Sequence, residues 1–262
     1  MKNLFKLLGL VLTLFMISIA CSSDDGSSSD DTLDNTDDEV VVTELHPAFE
    51  EFDADYTDIY IDGPNYVIET IGVPNHPTPY YSVSHPLYVV PTVTSEAQMT
   101  PTRIDTSGRD FDASLTVSAN PEAASFTTAT QLGAIGIAVS GAFIFNDQEG
   151  AGPLDAAAGS LDYTGAHIGP SVYHYHLEPL AFSNDDGNLV GIISDGFFIY
   201  GRRDYPSNDY PTDLDESGGH FGPTPHNPDG EYHYHIINEV YGSLGRYLLF
   251  AGPYQGTPNA IN

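Results

Sequence analysis

The chain has 262 residues, only 7 of them Lys or Arg against 37 Asp or Glu, and a formal net charge of −30. A field of that sign repels phosphate backbones and anionic membranes, which excludes nucleic-acid binding, and it draws in cations. The length suits one large domain or two small ones, and a single cysteine, Cys21, excludes an internal disulfide.

In chain order, the first element is an export signal over residues 1–20. Lys2 and Lys6 make a basic start, Leu7 to Ile17 an apolar run too short for a comfortable span, and Ser18-Ile19-Ala20 a small-residue cleavage site. Ile19-Ala20-Cys21 resembles a bacterial lipobox in which Cys21 is acylated, with Ser18 where Leu is usual. Cleavage leaves five arginines and no lysine, so the mature charge is 5 − 37 = −32. Residues 21–42 then read as an acidic tether too poor in apolar side chains to order itself. Ser22-Ser23-Asp24-Asp25 resembles the signal that carries some lipoproteins to the cell surface, so the expected address is the outer membrane.

From 43 to 262 the composition is globular. Seventeen tyrosines and thirteen phenylalanines lie among Val, Ile and Thr, with frequent Gly and Pro. The mix predicts one mainly β domain, sandwich- or barrel-like, with little helix. Strands are expected at Thr57–Ile61 and Tyr66–Ile71 around the turn 62–65. A buried pair is expected in Ala134–Phe145, broken near Ser140-Gly141, and one short helical turn in Leu154–Gly159. Val190–Ile193 and Phe197–Tyr200 flank Ser194-Asp195-Gly196 as a hairpin, and Tyr247–Ala251 reads as a late buried strand.

The most specific signal is a duplication. Tyr173-His174-Tyr175-His176 returns as Tyr232-His233-Tyr234-His235. The block Leu161-Asp162-x-x-Gly165-x-His167-x-Gly169-Pro170 returns as Leu214-Asp215-x-x-Gly218-x-His220-x-Gly222-Pro223. On a strand, alternate side chains share a face. His174 and His176 therefore converge, as do His233 and His235, while the tyrosines turn the other way. His167 and His220 stand ready to complete three-histidine sets. Each copy holds its own ion, or both His-x-His strands face one shared site; the spacing fits either. Imidazole and carboxylate without thiolate suit zinc, copper, iron or nickel, with copper or zinc favoured. Asp162 and Asp215 are candidates for a ligand or for an acceptor orienting a ring. His76, held between prolines, is a candidate extra ligand, whereas His226 reads as surface. Asp195 is expected beside the histidines as a ligand or general base, with Arg202 or Arg203 neutralising the carboxylates or gripping an anionic group.

A family resemblance rests on an ordered run of motifs. These are Gly72-Val73-Pro74-Asn75-His76-Pro77, then Gly136-Ile137-Ala138-Val139-x-Gly141-x-Phe143-x-Phe145-Asn146, the two Tyr-His-Tyr-His copies, and Asp195-Gly196-Phe197-x-Ile199-Tyr200-Gly201. The series resembles the YHYH domain family over roughly residues 58–255. That family's upstream loop often reads Asp-x-Cys-Gly/Asn-Gly-His. Here Tyr163-Thr164 and Glu216-Ser217 offer no cysteine, so a cysteine clamp is absent. The family is named for its motif, so the resemblance implies the domain and no activity. The expectation is an envelope lipoprotein whose domain binds a transition metal. The competing reading is a surface module that binds glycans or a protein partner, with structural histidines.

Overall fold

The computed structural model describes residues 41–92, 98–150, 152–169 and 171–262. The export signal, Cys21 and the tether up to residue 40 lie outside the described residues. Fifteen strands are described. They are β1 (Thr57–Asp62), β2 (Asn65–Thr70), β3 (Ala113–Ser118), β4 (Gly136–Ala138), β5 (Phe143–Ile144), β6 (Gln148–Glu149), β7 (Gly152–Pro153) and β8 (Ala166–Ile168). There follow β9 (Tyr173–Tyr175), β10 (Leu189–Ile193), β11 (Phe198–Tyr200), β12 (Gly219–Gly222), β13 (Glu231–His235), β14 (Val240–Tyr241) and β15 (Arg246–Tyr247). Helix among the described residues is confined to short 3₁₀ turns, the longest Pro47–Glu51, and none is long and apolar enough to cross a membrane. The protein is thus mainly β, as the composition predicts, and among the described residues the sheets do not close into a barrel.

The expected hairpins form where the turn chemistry puts them. β1 pairs antiparallel with β2 across Gly63, β4 with β5, and β10 with β11. The late segment is shorter than expected: after β15, Leu248 makes one isolated bridge to Leu177, while Leu249 and Phe250 are buried outside any ladder.

The large sheet has eight strands in the order β12-β13-β11-β10-β4-β5-β9-β8. It reads the same from either edge. β12 and β13 are antiparallel, as are β8 and β9. β13 runs parallel to β11, as β9 does to β5. The halves meet at the antiparallel β4–β10 pair, where Gly136 and Gly191 occupy matching places. A side chain at either would strike the facing carbonyl, that of Ile192 or of Ile137, so the seam of the sheet requires both glycines.

Register sorts the faces. Ile192 pairs with Ile137, Ile137 with Phe143, Phe143 with His174, and His174 with His167. On the other flank Ile192 pairs with Phe198, and His233 with His220. Because Ile199 is the partner of Tyr234, His233 shares the face of Phe198. One row thus crosses the sheet with imidazoles at both ends and apolar side chains between. The apolar middle (Ile137, Val139, Ile192, Phe198) is packed by Tyr66, Ile68, Leu115 and Val117 of the three-stranded β1-β2-β3 sheet. On the opposite face Tyr173, Tyr175 and Tyr234 join Ile144, Ile193, Ile199, Leu249 and Phe250 in the larger core.

Candidate metal centres

The hairpins extend the repeat beyond the histidines. Gly136-Ile137-x-x-x-Gly141-x-Phe143-Ile144 matches Gly191-Ile192-x-x-x-Gly196-x-Phe198-Ile199 at a constant offset of 191 − 136 = 55. Each unit is a β-hairpin followed by a second hairpin that adds to it in parallel. The glycine turn after each acidic residue is also repeated. Gly165 and Gly218 have φ of 84° and 79°, a conformation that favours glycine, and their carbonyls accept the backbone N–H of His176 and His235. That bond ties the loop histidine to the strand pair.

Two sets of ligand atoms result, one in each half: Glu149 with His167, His174 and His176, and Asp204 with His220, His233 and His235. All six imidazoles are buried. In the first set His174 Nε2 lies 3.1 Å from His167 Nε2 and 2.9 Å from His176 Nε2. In the second, His233 Nε2 lies 3.2 Å from His220 Nε2 and 3.0 Å from His235 Nε2, and the third side is 3.2 Å. Five strand steps separate β9 from β13, roughly 24 Å at ordinary strand spacing. Of the two arrangements open to the sequence, the fold therefore builds the one with a separate set per copy.

The second ring nitrogens fix the tautomers. His174 Nδ1 donates to the Val172 carbonyl at 3.0 Å, and His176 Nδ1 to the Asn146 carbonyl at 2.6 Å. Ser160 donates its hydroxyl to the Ala157 carbonyl, so its oxygen accepts from His167 Nδ1 at 2.8 Å. In the other half His233 Nδ1 donates to Glu231 O at 3.1 Å, His235 Nδ1 to Gly201 O at 2.8 Å, and His220 Nδ1 to the Asp213 carboxylate at 2.9 Å. A neutral imidazole has one N–H, so all six Nε2 atoms are left as lone pairs. Three lone pairs at van der Waals contact repel one another unless a cation lies between them. Around a tetrahedral ion with ligand bonds of 2.0–2.1 Å, ligand atoms stand about 3.3 Å apart, close to the spacing in both trios.

Burial favours the neutral form of His174, His233 and His235. It pushes His174 down to about 3, with Glu149 opposing and the neighbouring rings reinforcing. Burial also brings His233 and His235 down to about 4. Phe145 stacks on His174 at 3.7 Å between centroids, which fixes that ring from the side.

The two carboxylates were missed by reading the histidine motif alone. Their signal is the hairpin repeat: Glu149 and Asp204 are 204 − 149 = 55 apart, the hairpin offset, and so are the carbonyls of Asn146 and Gly201 that orient His176 and His235.

Other expected positions lie elsewhere. Asp195, expected beside the histidines, is on the tyrosine face. Its Oδ2 accepts from the Tyr234 hydroxyl and from Gly256 N at 3.0 Å. It occupies the place of Ser140, which bonds the Tyr175 hydroxyl at 2.8 Å. Strand alternation explains the correction, since Tyr234 points away from His233 and His235. His76 belongs to the same tyrosine face, its Nε2 against the Tyr175 hydroxyl, so it joins neither trio. Asp162 and Asp215 also turn to the tyrosines, accepting the Tyr173 and Tyr232 hydroxyls at 2.8 Å each. Arg202 is stacked on Tyr247 and bound to Glu178 at 3.1 Å, and Arg203 is paired with Asp185 at 2.8 Å, so both neutralise carboxylates away from the imidazoles. His226, read as surface, is in part buried and lies 3.0 Å from the Tyr200 hydroxyl.

Fold and site together define a mainly β protein with two repeat-related sets of three histidines and a carboxylate. Residues 114–212 match the family model described as YHYH protein, the family whose motifs the sequence resembles. The match takes in the first histidine set, Asp195 and Asp204, and ends before His220. No curated protein and no solved structure matches the chain.

Proposed function

We propose that this is an exported, lipid-anchored envelope protein whose β domain binds two transition-metal ions, copper or zinc, one at each three-histidine set. The observation that carries the reading is the commitment of all six Nδ1 protons to oxygen acceptors, with six Nε2 lone pairs gathered in two trios. A proton bridges only one pair in each trio, whereas a metal ion satisfies all three. His174, His176 and His167 hold the first ion with Glu149. His233, His235 and His220 hold the second, with Asp204 nearby. Nothing in this reading assigns the ions a reaction. Lipidation at Cys21 and the outer-membrane address rest on the N-terminal sequence.

The test is metal analysis of full-length protein purified without a His tag and reconstituted separately with zinc and with copper. Two equivalents per chain are expected, falling to none in the His174→Ala/His233→Ala double variant. Two retained equivalents in that variant refute the ligand assignment, and no bound metal in the parent refutes the proposal. Acyl-chain mass on Cys21 tests the anchor independently.

A further inference from the structure

A cavity of about 560 Å³ opens between the end of the three-stranded sheet and the β12–β13 hairpin. It lies within the size range of small-molecule pockets. Tyr66, Phe198, Phe221 and Tyr232 are among its lining side chains. Phe221 is 72% exposed, on an edge strand where a large apolar ring has no packing reason to face solvent. Its ring passes close to Gly230, where a side chain would press on it, so glycine there leaves the ring its place. The acidic groups on the wall are Glu122 and Glu231, and among the described residues no Lys or Arg lines the cavity. Glu231 is already engaged, by His46 at 3.0 Å and by the Thr224 hydroxyl at 2.8 Å. Glu122 is exposed on the rim.

We propose that this cavity binds an organic cation bearing a quaternary ammonium head. Aromatic faces attract a diffuse positive charge through their quadrupoles, and a methylated ammonium fills an apolar pocket without demanding hydrogen bonds. Glu122 supplies the counter-charge. An anion meets two carboxylates, with the one lining imidazole, His46, already committed to Glu231, and a strongly hydrated metal ion gains nothing from the rings. The assignment is independent of the metal reading, because none of the six imidazoles lines the cavity.

The test is calorimetric titration of the full chain with choline, in parallel with its neutral carbon isostere, in which a tert-butyl group replaces trimethylammonium. Choline is expected to bind about tenfold tighter than the isostere, and Phe221→Ala and Glu122→Gln each to weaken choline by about threefold to tenfold. Both substitutions are at exposed positions, and near-UV dichroism of each variant verifies the fold. Absence of choline binding overturns the proposal. Equal binding of the isostere overturns it too, by reducing the site to an apolar slot, and so does choline binding that Phe221→Ala leaves unchanged.

Discussion

At the first histidine set Glu149 Oε1 stands 2.7 Å from His167 and 3.0 Å from His176, in contact with both; at the second, Asp204 Oδ1 stands 3.7 Å from His220 and 3.9 Å from His235. The two acids occupy the same place in the repeat, so the shorter aspartate side chain goes with the longer gap. The halves differ again behind the loop histidine, where His167 gives its Nδ1 proton to a serine hydroxyl and His220 gives it to Asp213. The repeat has fixed the imidazole trio, which depends on strand alternation and two carbonyls, and has varied the acids around it. One set places its carboxylate against the trio. The other keeps Asp204 at greater remove and sets Asp213 behind the loop histidine, where it makes His220 a stronger donor.

The comparison presumes two independent sites, and the largest effect tests that. His174→Ala is expected to remove one of two metal equivalents and leave the second, and His233→Ala the reverse, read by elemental analysis after desalting. If either substitution empties both halves, the sets form one cooperative unit and their separate description fails.

A smaller effect separates the carboxylates. Glu149→Gln is expected to weaken the first site by about a hundredfold and Asp204→Asn the second by about tenfold, measured by competition with a chromophoric chelator. Equal losses would mean that Asp204 closes on the ion as fully as Glu149. Behind the trio, Asp213→Ala is expected to cost the second site about tenfold and Ser160→Ala the first site less, because a carboxylate raises the basicity of its imidazole more than a hydroxyl does. An Asp213 variant with undiminished affinity would restrict that residue to surface charge.

Much of this was legible in the chain. The alternation in Tyr-His-Tyr-His places the histidines on one face, and Asp62-Gly63, Ser140-Gly141 and Asp195-Gly196 mark the three hairpins. The pairing of β9 with β5 and of β13 with β11 was not legible, since parallel neighbours are set by contacts distant in sequence. Without that pairing, nothing indicates that the carbonyls of Asn146 and Gly201, and then Glu149 and Asp204, arrive beside the imidazoles. Asp195 was misplaced for a related reason. It abuts a glycine turn like many reactive carboxylates, but only the register shows that it reaches the tyrosine face. The fainter repeat, Gly-Ile-x-x-x-Gly-x-Phe-Ile, carried this information, because a 55-residue offset that holds for the hairpin also holds for the acid beyond it.

The tyrosine faces extend the comparison with the smallest expected effect. The Tyr175 hydroxyl meets neutral Ser140, while the Tyr234 hydroxyl meets Asp195. Burial raises the Asp195 carboxyl, and the hydrogen bonds from Tyr234, Gly256 and Phe197 only partly bring it back. A raised value means that the folded state binds the proton more tightly than the unfolded chain, whose aspartates titrate near about 3.9. The stability contributed by that proton is complete below the unfolded value and is lost as pH rises through the folded one, by at most about 1.4 kcal/mol per pH unit. Asp195→Asn keeps an acceptor for the Tyr234 hydroxyl and cannot ionise. With metal stripped from both proteins, the stability of wild type relative to this variant is expected to fall as pH climbs from acid toward neutrality, followed by urea denaturation. Ser140→Ala, its counterpart in the other half, is expected to give an offset that is flat over the same range. A wild-type advantage that grows with pH would mean that hydrogen bonds outweigh burial at Asp195, and that the two tyrosine anchors differ in strength and not in their response to protons.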